Sequence, residues 1–177
     1  MKNERKIIAL IADTITISYN DGVTTQSATR DIQGTGNSPA TLTISNGPTY
    51  DYGVNLTGSL DTFTFTINNT GQTQATAMVG SGLVAPYDWA GGSFPGTAGT
   101  CNTGTLNGGS SCTIVVTYQP ASEQTDNDII LLDYNDGVLA QQTPRAITGQ
   151  GVNLPDAPTT YAFVTPSSSP SPINVPV

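Results

Sequence analysis

Phe63-Thr64-Phe65-Thr66-Ile67-Asn68-Asn69-Thr70-Gly71 decides the fold class. Phe63, Phe65 and Ile67 alternate with threonines, which gives an extended strand one apolar face and one hydroxylated face. Aromatic and β-branched side chains suit such a pleated, half-buried surface. Asn68-Asn69-Thr70-Gly71 reads as the turn that ends it. The same alternation recurs outward in both directions. Leu42 and Ile44 alternate with Thr41 and Thr43, and Ile114, Val116 and Tyr118 alternate with Thr113, Val115 and Thr117. Gln74 to Val79 is a weaker strand. Ile129 to Leu132 is apolar on both faces, the pattern of a central strand. Asn135-Asp136-Gly137 is a tight-turn sequence, since these residues tolerate positive φ. Val138 to Thr148 returns as its partner, with Pro144 marking an edge or a bulge. About seven short strands without a helical period predict an all-β chain, an immunoglobulin-like antiparallel β-sandwich.

The chain also repeats itself. Ile15-Thr16-Ile17-Ser18-Tyr19-Asn20-Asp21-Gly22-Val23 resembles Ile130-Leu131-Leu132-Asp133-Tyr134-Asn135-Asp136-Gly137-Val138. Arg30, Ile32, Gly34 and Gly36 align without a gap on Arg145, Ile147, Gly149 and Gly151, an offset of 115 throughout. The expectation is a tandem array of this period. Residues 1–12 read as a leader or a start within a longer protein, with basic residues ahead of an apolar run. Residues 13–38 read as a hairpin equivalent to the end of a preceding repeat, and 39–151 as the sandwich. Residues 152–177, rich in Pro and Ser, read as an extended linker or tail.

Composition excludes several chemistries. The 177 residues contain no His and two Cys, which removes Ser-His-Asp and Cys-His catalysis, His-based metal sites and four-thiolate zinc sites. Five Lys+Arg against 13 Asp+Glu give a net charge of −8, and only Arg30 and Arg145 lie beyond residue 6. No nucleic-acid partner is expected, because phosphate binding needs clustered cations. No membrane insertion is expected, because no segment approaches the ~18–20 apolar residues of a span.

The remaining motifs each have a plain structural reading. Asp133 to Gly137, with Asp126 and Asp128 nearby, invites calcium, yet the spacing departs from an EF-hand loop. The hairpin explains Asn135 to Gly137 without a metal. Asp51 with Asp61, or Glu123 with Asp126, lack the support a paired-carboxylate hydrolase would need. No cofactor is expected, and no enzyme. Asn55-Leu56-Thr57 and Asn68-Asn69-Thr70 match the glycosylation sequon, a weak match in so Asn- and Thr-rich a chain. The irregular 86–109 segment carries Tyr87, Trp89 and Phe94, a candidate platform for a surface glycan or a protein; the alternative is that these rings fill the core. Cys101 and Cys112 flank a polar loop. A bridge there would stabilise by roughly 3 kcal/mol and would imply an oxidising compartment; a redox-active pair is the other reading.

Taken in order, Tyr52-Gly53-Val54, Phe63 to Gly71, Cys101, Leu106-Asn107-Gly108-Gly109-Ser110-Ser111-Cys112-Thr113-Ile114-Val115-Val116-Thr117-Tyr118-Gln119-Pro120 and Ile147-Thr148-Gly149-Gln150-Gly151 carry a resemblance. The stretch from about residue 40 to 151 resembles the bacterial choice-of-anchor D repeats. These are grouped with the ASH (abnormal-spindle and hydin-like) domains, near the major sperm protein and pilus-chaperone sandwiches. The resemblance implies tandem immunoglobulin-like sandwiches on extracellular, cell-surface or secreted bacterial proteins, with Cys101 and Cys112 paired and no catalytic residues. It implies a stalk, fibre or filament module whose partners are neighbouring copies or adjacent repeats. The hairpin face with Ile15, Ile17 and Tyr19 is the expected assembly element, because an uncovered strand pair is a pairing surface.

Overall fold

The computed structural model describes residues 10–155. The expected leader therefore lies outside the described residues except for Leu10 to Ala12, and so does the tail beyond residue 155.

Eleven strands and no helix make up the described residues. Two form a separate hairpin, β1 (Leu10–Asn20) with β2 (Thr25–Thr35). Nine form a sandwich: β3 (Leu42–Ile44), β4 (Thr49–Leu56), β5 (Asp61–Asn69), β6 (Ala75–Ser81), β7 (Tyr87–Trp89), β8 (Thr105–Leu106), β9 (Ser111–Tyr118), β10 (Thr125–Asn135) and β11 (Ala140–Val152). The count exceeds the expected seven because the irregular 86–109 segment contributes two ribs, β7 and β8, too short to show a period. β1 starts at Leu10, ahead of the boundary read at residue 13, because Leu10 to Ala12 continue the ladder against Gln33 to Thr35.

One sheet has the order β4-β11-β10-β6-β8 and the other β3-β5-β9-β7. All pairings are antiparallel except β4 with β11, which run parallel. The core lies between the sheets. Phe65, Ile67, Ile114, Val116 and Tyr118 face Met78, Ile130, Leu132 and Ile147, all of them buried. β10 is the central strand of its sheet, as its apolar run implies, but only one of its faces is in the core: Ile130 and Leu132 are buried while Ile129 is exposed, because among the described residues nothing covers the outer face of that sheet. Pro144 sits where β11 has β10 alone beside it, since β4 joins only from Ala146 onward.

The end of the fold-deciding strand is held by a buried amide. Asn69 belongs to β5, and its side chain supplies the bonds of the turn read there. Its Oδ1 accepts from the backbone N–H of Thr41 (3.1 Å) and Gly71 (3.0 Å), and its Nδ2 donates to the carbonyls of Thr73 (2.9 Å) and Leu106 (3.0 Å). Both ends of the amide are thus satisfied in a site from which water is excluded.

Candidate interaction surface

The two hairpins share one register. β1 pairs with β2 from Leu10↔Thr35 to Asn20↔Thr25, and β10 pairs with β11 from Thr125↔Gln150 to Asn135↔Ala140, each pair displaced by 115. Their turns are held by the same bonds. Asn20 Oδ1 accepts from Gly22 N–H at 2.8 Å, as Asn135 Oδ1 does from Gly137 N–H. Asp21 Oδ1 accepts from the N–H of Val23 and Thr24, and its Oδ2 accepts from Gln26. Asp136 repeats all three with Val138, Leu139 and Gln141. The Thr24 and Val23 amides, with Gln26, hold the Asp21 carboxyl below the ordinary carboxylate range; the Leu139 and Val138 amides hold Asp136 there in the same way.

The two hairpins differ in what covers them. Ile130, Leu132, Tyr134 and Ile147 are 0, 1, 7 and 1% exposed, whereas Ile15, Ile17, Tyr19 and Ile32 at the same register are 50, 60, 51 and 44% exposed. Strand alternation puts these four on one face, together with Ile11 and Arg30. The opposite face of β1 carries Thr14, Thr16 and Ser18. The first hairpin therefore has a core face and a solvent face, but no core. Ile15, Ile17 and Tyr19 lie together on this face. Ile32 and Arg30 join the face at positions where the 115-residue offset matches Ile147 and Arg145, whereas Ile11, whose counterpart is Asp126, is placed there by strand alternation alone.

Arg145 shows what the arginine shared by the two hairpins does when covered. Its guanidinium donates to the carbonyls of Pro48 (2.9 Å) and Ile44, tying β11 to the loop after β3. Arg30 stands at the equivalent place on the bare hairpin and is exposed.

The 86–109 segment turns its aromatics inward. Tyr87 is 2% and Trp89 7% exposed. Tyr87 stacks on Tyr118 with centroids 4.8 Å apart, and Trp89 meets the half-buried Phe94 edge to face at 5.3 Å. These rings fill the core, so Tyr87 and Trp89 offer no free face to a glycan. Tyr52, Tyr87 and Tyr118 form one cluster, with hydroxyls donating to Val116 O, Asp126 O and Asp126 Oδ2. Burial, above all, pushes all three phenols well above their ordinary range, and the neighbouring Asp126 adds to the effect on Tyr87 and Tyr118.

Cys101 and Cys112 are disulfide-bonded, with Cα atoms 4.9 Å apart. Among the described residues no group of three or more Cys, Asp or Glu is placed to hold a metal ion. Of the acids considered above, Asp51 accepts from Gly53 N–H and Asp61 from Thr62 N–H, while Asp126 accepts from the Tyr118 hydroxyl and the Gln124 amide.

Solved structures share the architecture. The ASH/PapD-like domain 7 of human CEP192 superposes with a TM-score of 0.50 at 14% identity, over 66% of this chain and 89% of that one. The fold is an ASH/PapD-like sandwich. The VesB protease of Vibrio cholerae matches with a TM-score of 0.51 at 17% identity, over 62% of this chain and 31% of that one. This chain thus corresponds to about a third of the protease, and at such identity the likeness concerns the fold alone. No family model and no curated protein matches the chain.

Proposed function

We propose that this chain is a non-enzymatic structural and interaction module of a bacterial surface or secreted protein, of the choice-of-anchor D kind, acting as a unit of a stalk, fibre or filament. It joins its neighbours by addition of the β1–β2 hairpin. One observation carries this reading: the hairpin repeats the register and the turn bonds of β10–β11, yet among the described residues nothing covers its core face. Burying each large apolar side chain of that face is worth about 1.5–3 kcal/mol. A bare apolar strand pair is a pairing surface unless a partner covers it. The disulfide supports an oxidising, extracellular setting.

The test is light scattering after size exclusion on non-reduced protein, with negative-stain microscopy. The wild-type chain self-associates as concentration rises, and Ile15→Asp with Ile17→Asp leaves a monomer. Assembly unchanged in the double variant refutes hairpin addition. A wild-type chain that stays monomeric at every concentration refutes self-assembly through this face.

A further inference from the structure

The covered hairpin shows what the bare one is shaped to meet. Gly149, on the inner face of β11, lies against the Tyr118 ring; a Cβ there would come within 2.6 Å of it. Gly151 lies against Pro120 and the Ser122 carbonyl, which leave no room for a Cβ. These glycines sit where β9 and the loop after it approach closely, and neither has a positive φ. Gly34 and Gly36 occupy the same register, and a Cβ on either would meet nothing. A glycine inside a strand weakens it, and β2 draws no local benefit from Gly34. Arg30 points to the same conclusion, since its counterpart donates to two carbonyls, Ile44 at the end of β3 and Pro48 in the loop after it.

Resting on the proposed function above, we infer that the acceptor of β1–β2 is a sandwich of this same kind that lacks its last hairpin, an incomplete set of strands equivalent to β3–β9. The hairpin takes the seat that β10–β11 fill in this chain, between strands equivalent to β4 and β6. Ile15, Ile17, Tyr19 and Ile32 enter its core, and Gly34 passes over a tyrosine at the position of Tyr118. Arg30 caps carbonyls at the end of its first strand and in the loop after it. The contact surface is already built once, within this chain, between β10–β11 and the rest of the sandwich. A complete copy of this chain is not the acceptor, because its seat is occupied; among such copies the bare face makes only weaker pairings.

The test uses a tagged full-length acceptor and an untagged full-length donor. The acceptor carries Ile130→Asp and Leu132→Asp to empty the seat, with Ile15→Asp and Ile17→Asp to disable its own hairpin. Alone it does not fold. Refolded with wild-type donor under oxidising conditions, it is recovered as a soluble one-to-one complex on the tag. Donor Gly34→Leu, exposed and harmless in its own chain, is captured roughly 10- to 100-fold less well, with Gly34→Ala between them. A second acceptor ended after Gln124, which removes β10–β11 outright, gives the same ranking. The inference is overturned if Gly34→Leu is captured as well as wild type, or if neither acceptor is recovered with wild-type donor. Gly34→Leu keeps the apolar face and hence the self-association of the whole chain. Self-association sensitive to Ile15→Asp and Ile17→Asp, with no acceptor recovered, therefore removes the acceptor and leaves the proposed function standing. Insensitive self-association removes the proposed function itself.

Discussion

Replacing Asn69 by Ala tests whether one buried amide closes this end of the sandwich. Asn69 is 1% exposed and makes four hydrogen bonds to backbone groups of four different residues. Alanine removes all four. Thr41 is exposed and Thr73 half-buried, so their freed groups regain water. Gly71 and Leu106 are buried, and a buried group left without a partner costs about 1–3 kcal/mol. Adding the cavity and the loss at the two wetter sites gives a destabilisation of about 4 kcal/mol. At a urea slope of about 1–3 kcal/mol per M, the midpoint falls by roughly 2 M. The assay is equilibrium unfolding of the oxidised protein, followed by Trp89 fluorescence. Asn68→Ala, on the exposed face of the same strand, stays within about 0.5 kcal/mol of wild type. Asn69→Asp separates hydrogen bonding from volume. It keeps the acceptor for Thr41 and Gly71 but turns a second oxygen toward two carbonyls. At neutral pH it is at least as damaging as Ala, and it recovers in acid, where a protonated carboxyl donates to one of them. If Asn69→Ala loses less than about 1 kcal/mol, or Asn69→Asp matches wild type at neutral pH, the amide is not what holds this junction.

Four further outcomes follow from the geometry. Ile130→Ala destabilises the sandwich by about 2–5 kcal/mol, whereas Ile15→Ala at the same register leaves its unfolding midpoint unchanged; equal effects would show that the hairpin is part of the same core. Because burial raises Tyr52, Tyr87 and Tyr118 in the folded state, their stabilisation is complete below the unfolded phenol value of about 10 and is lost as pH rises through their raised values. Absorbance at the tyrosinate band should therefore show these three ionising only together with alkaline unfolding, and independent titration near pH 10 in folded protein contradicts the packing. Asp136 has the opposite sign: its contribution is present above the ordinary carboxylate value and is lost as pH falls through its lowered one, so Asp136→Asn should flatten the acid limb of the stability curve. Removing the disulfide with Cys101→Ala and Cys112→Ala costs roughly 3 kcal/mol by denaturant unfolding, and a change below about 0.5 kcal/mol would show that the loop is held by packing alone.

The long strands were legible because their side chains alternate between two unlike environments. Phe63 to Ile67 and Ile114 to Tyr118 could be read directly. β7 and β8 could not, since they are short and lie in a Gly-rich stretch whose flanks do not continue an alternation as Thr41 does for β3, and both are set by what they pack against: Tyr87 on Tyr118 and Leu106 in the core. The parallel pairing of β4 with β11 was hidden for a related reason, because alternation reports which face is buried and says nothing of a neighbour's direction. Ile129 marked a central strand correctly but not a second buried face, because an apolar side chain on an uncovered sheet face looks, in sequence, like one that is packed. Asn69 read as a turn residue; that it anchors four backbone groups depends on Thr41, Thr73 and Leu106 arriving from distant segments. The candidate surface was legible through repetition alone. The offset identified Ile15, Ile17 and Tyr19, and its continuation contained Arg30, Ile32 and Gly34, whose meaning emerged only once their counterparts were seen in contact.

The equivalence of the two hairpins separates what a hairpin needs in order to form from what it needs in order to be useful. Both have the Asn-Asp-Gly turn, with the aspartate gathering two amides and a glutamine, and both have the full ladder. A two-stranded ribbon with nothing more is only marginally stable in water. What β1–β2 carries beyond this minimum is of no use to an isolated ribbon: large apolar side chains on one face, a glycine that no neighbour approaches among the described residues, and an arginine that caps no carbonyl among them. Each of the three is explained by a contact that β10–β11 makes within this chain. Solvation alone would favour polar residues on both faces and a β-branched residue in place of Gly34. The sequence keeps the opposite choice at each position, and that choice is stabilising only where a second set of strands covers it.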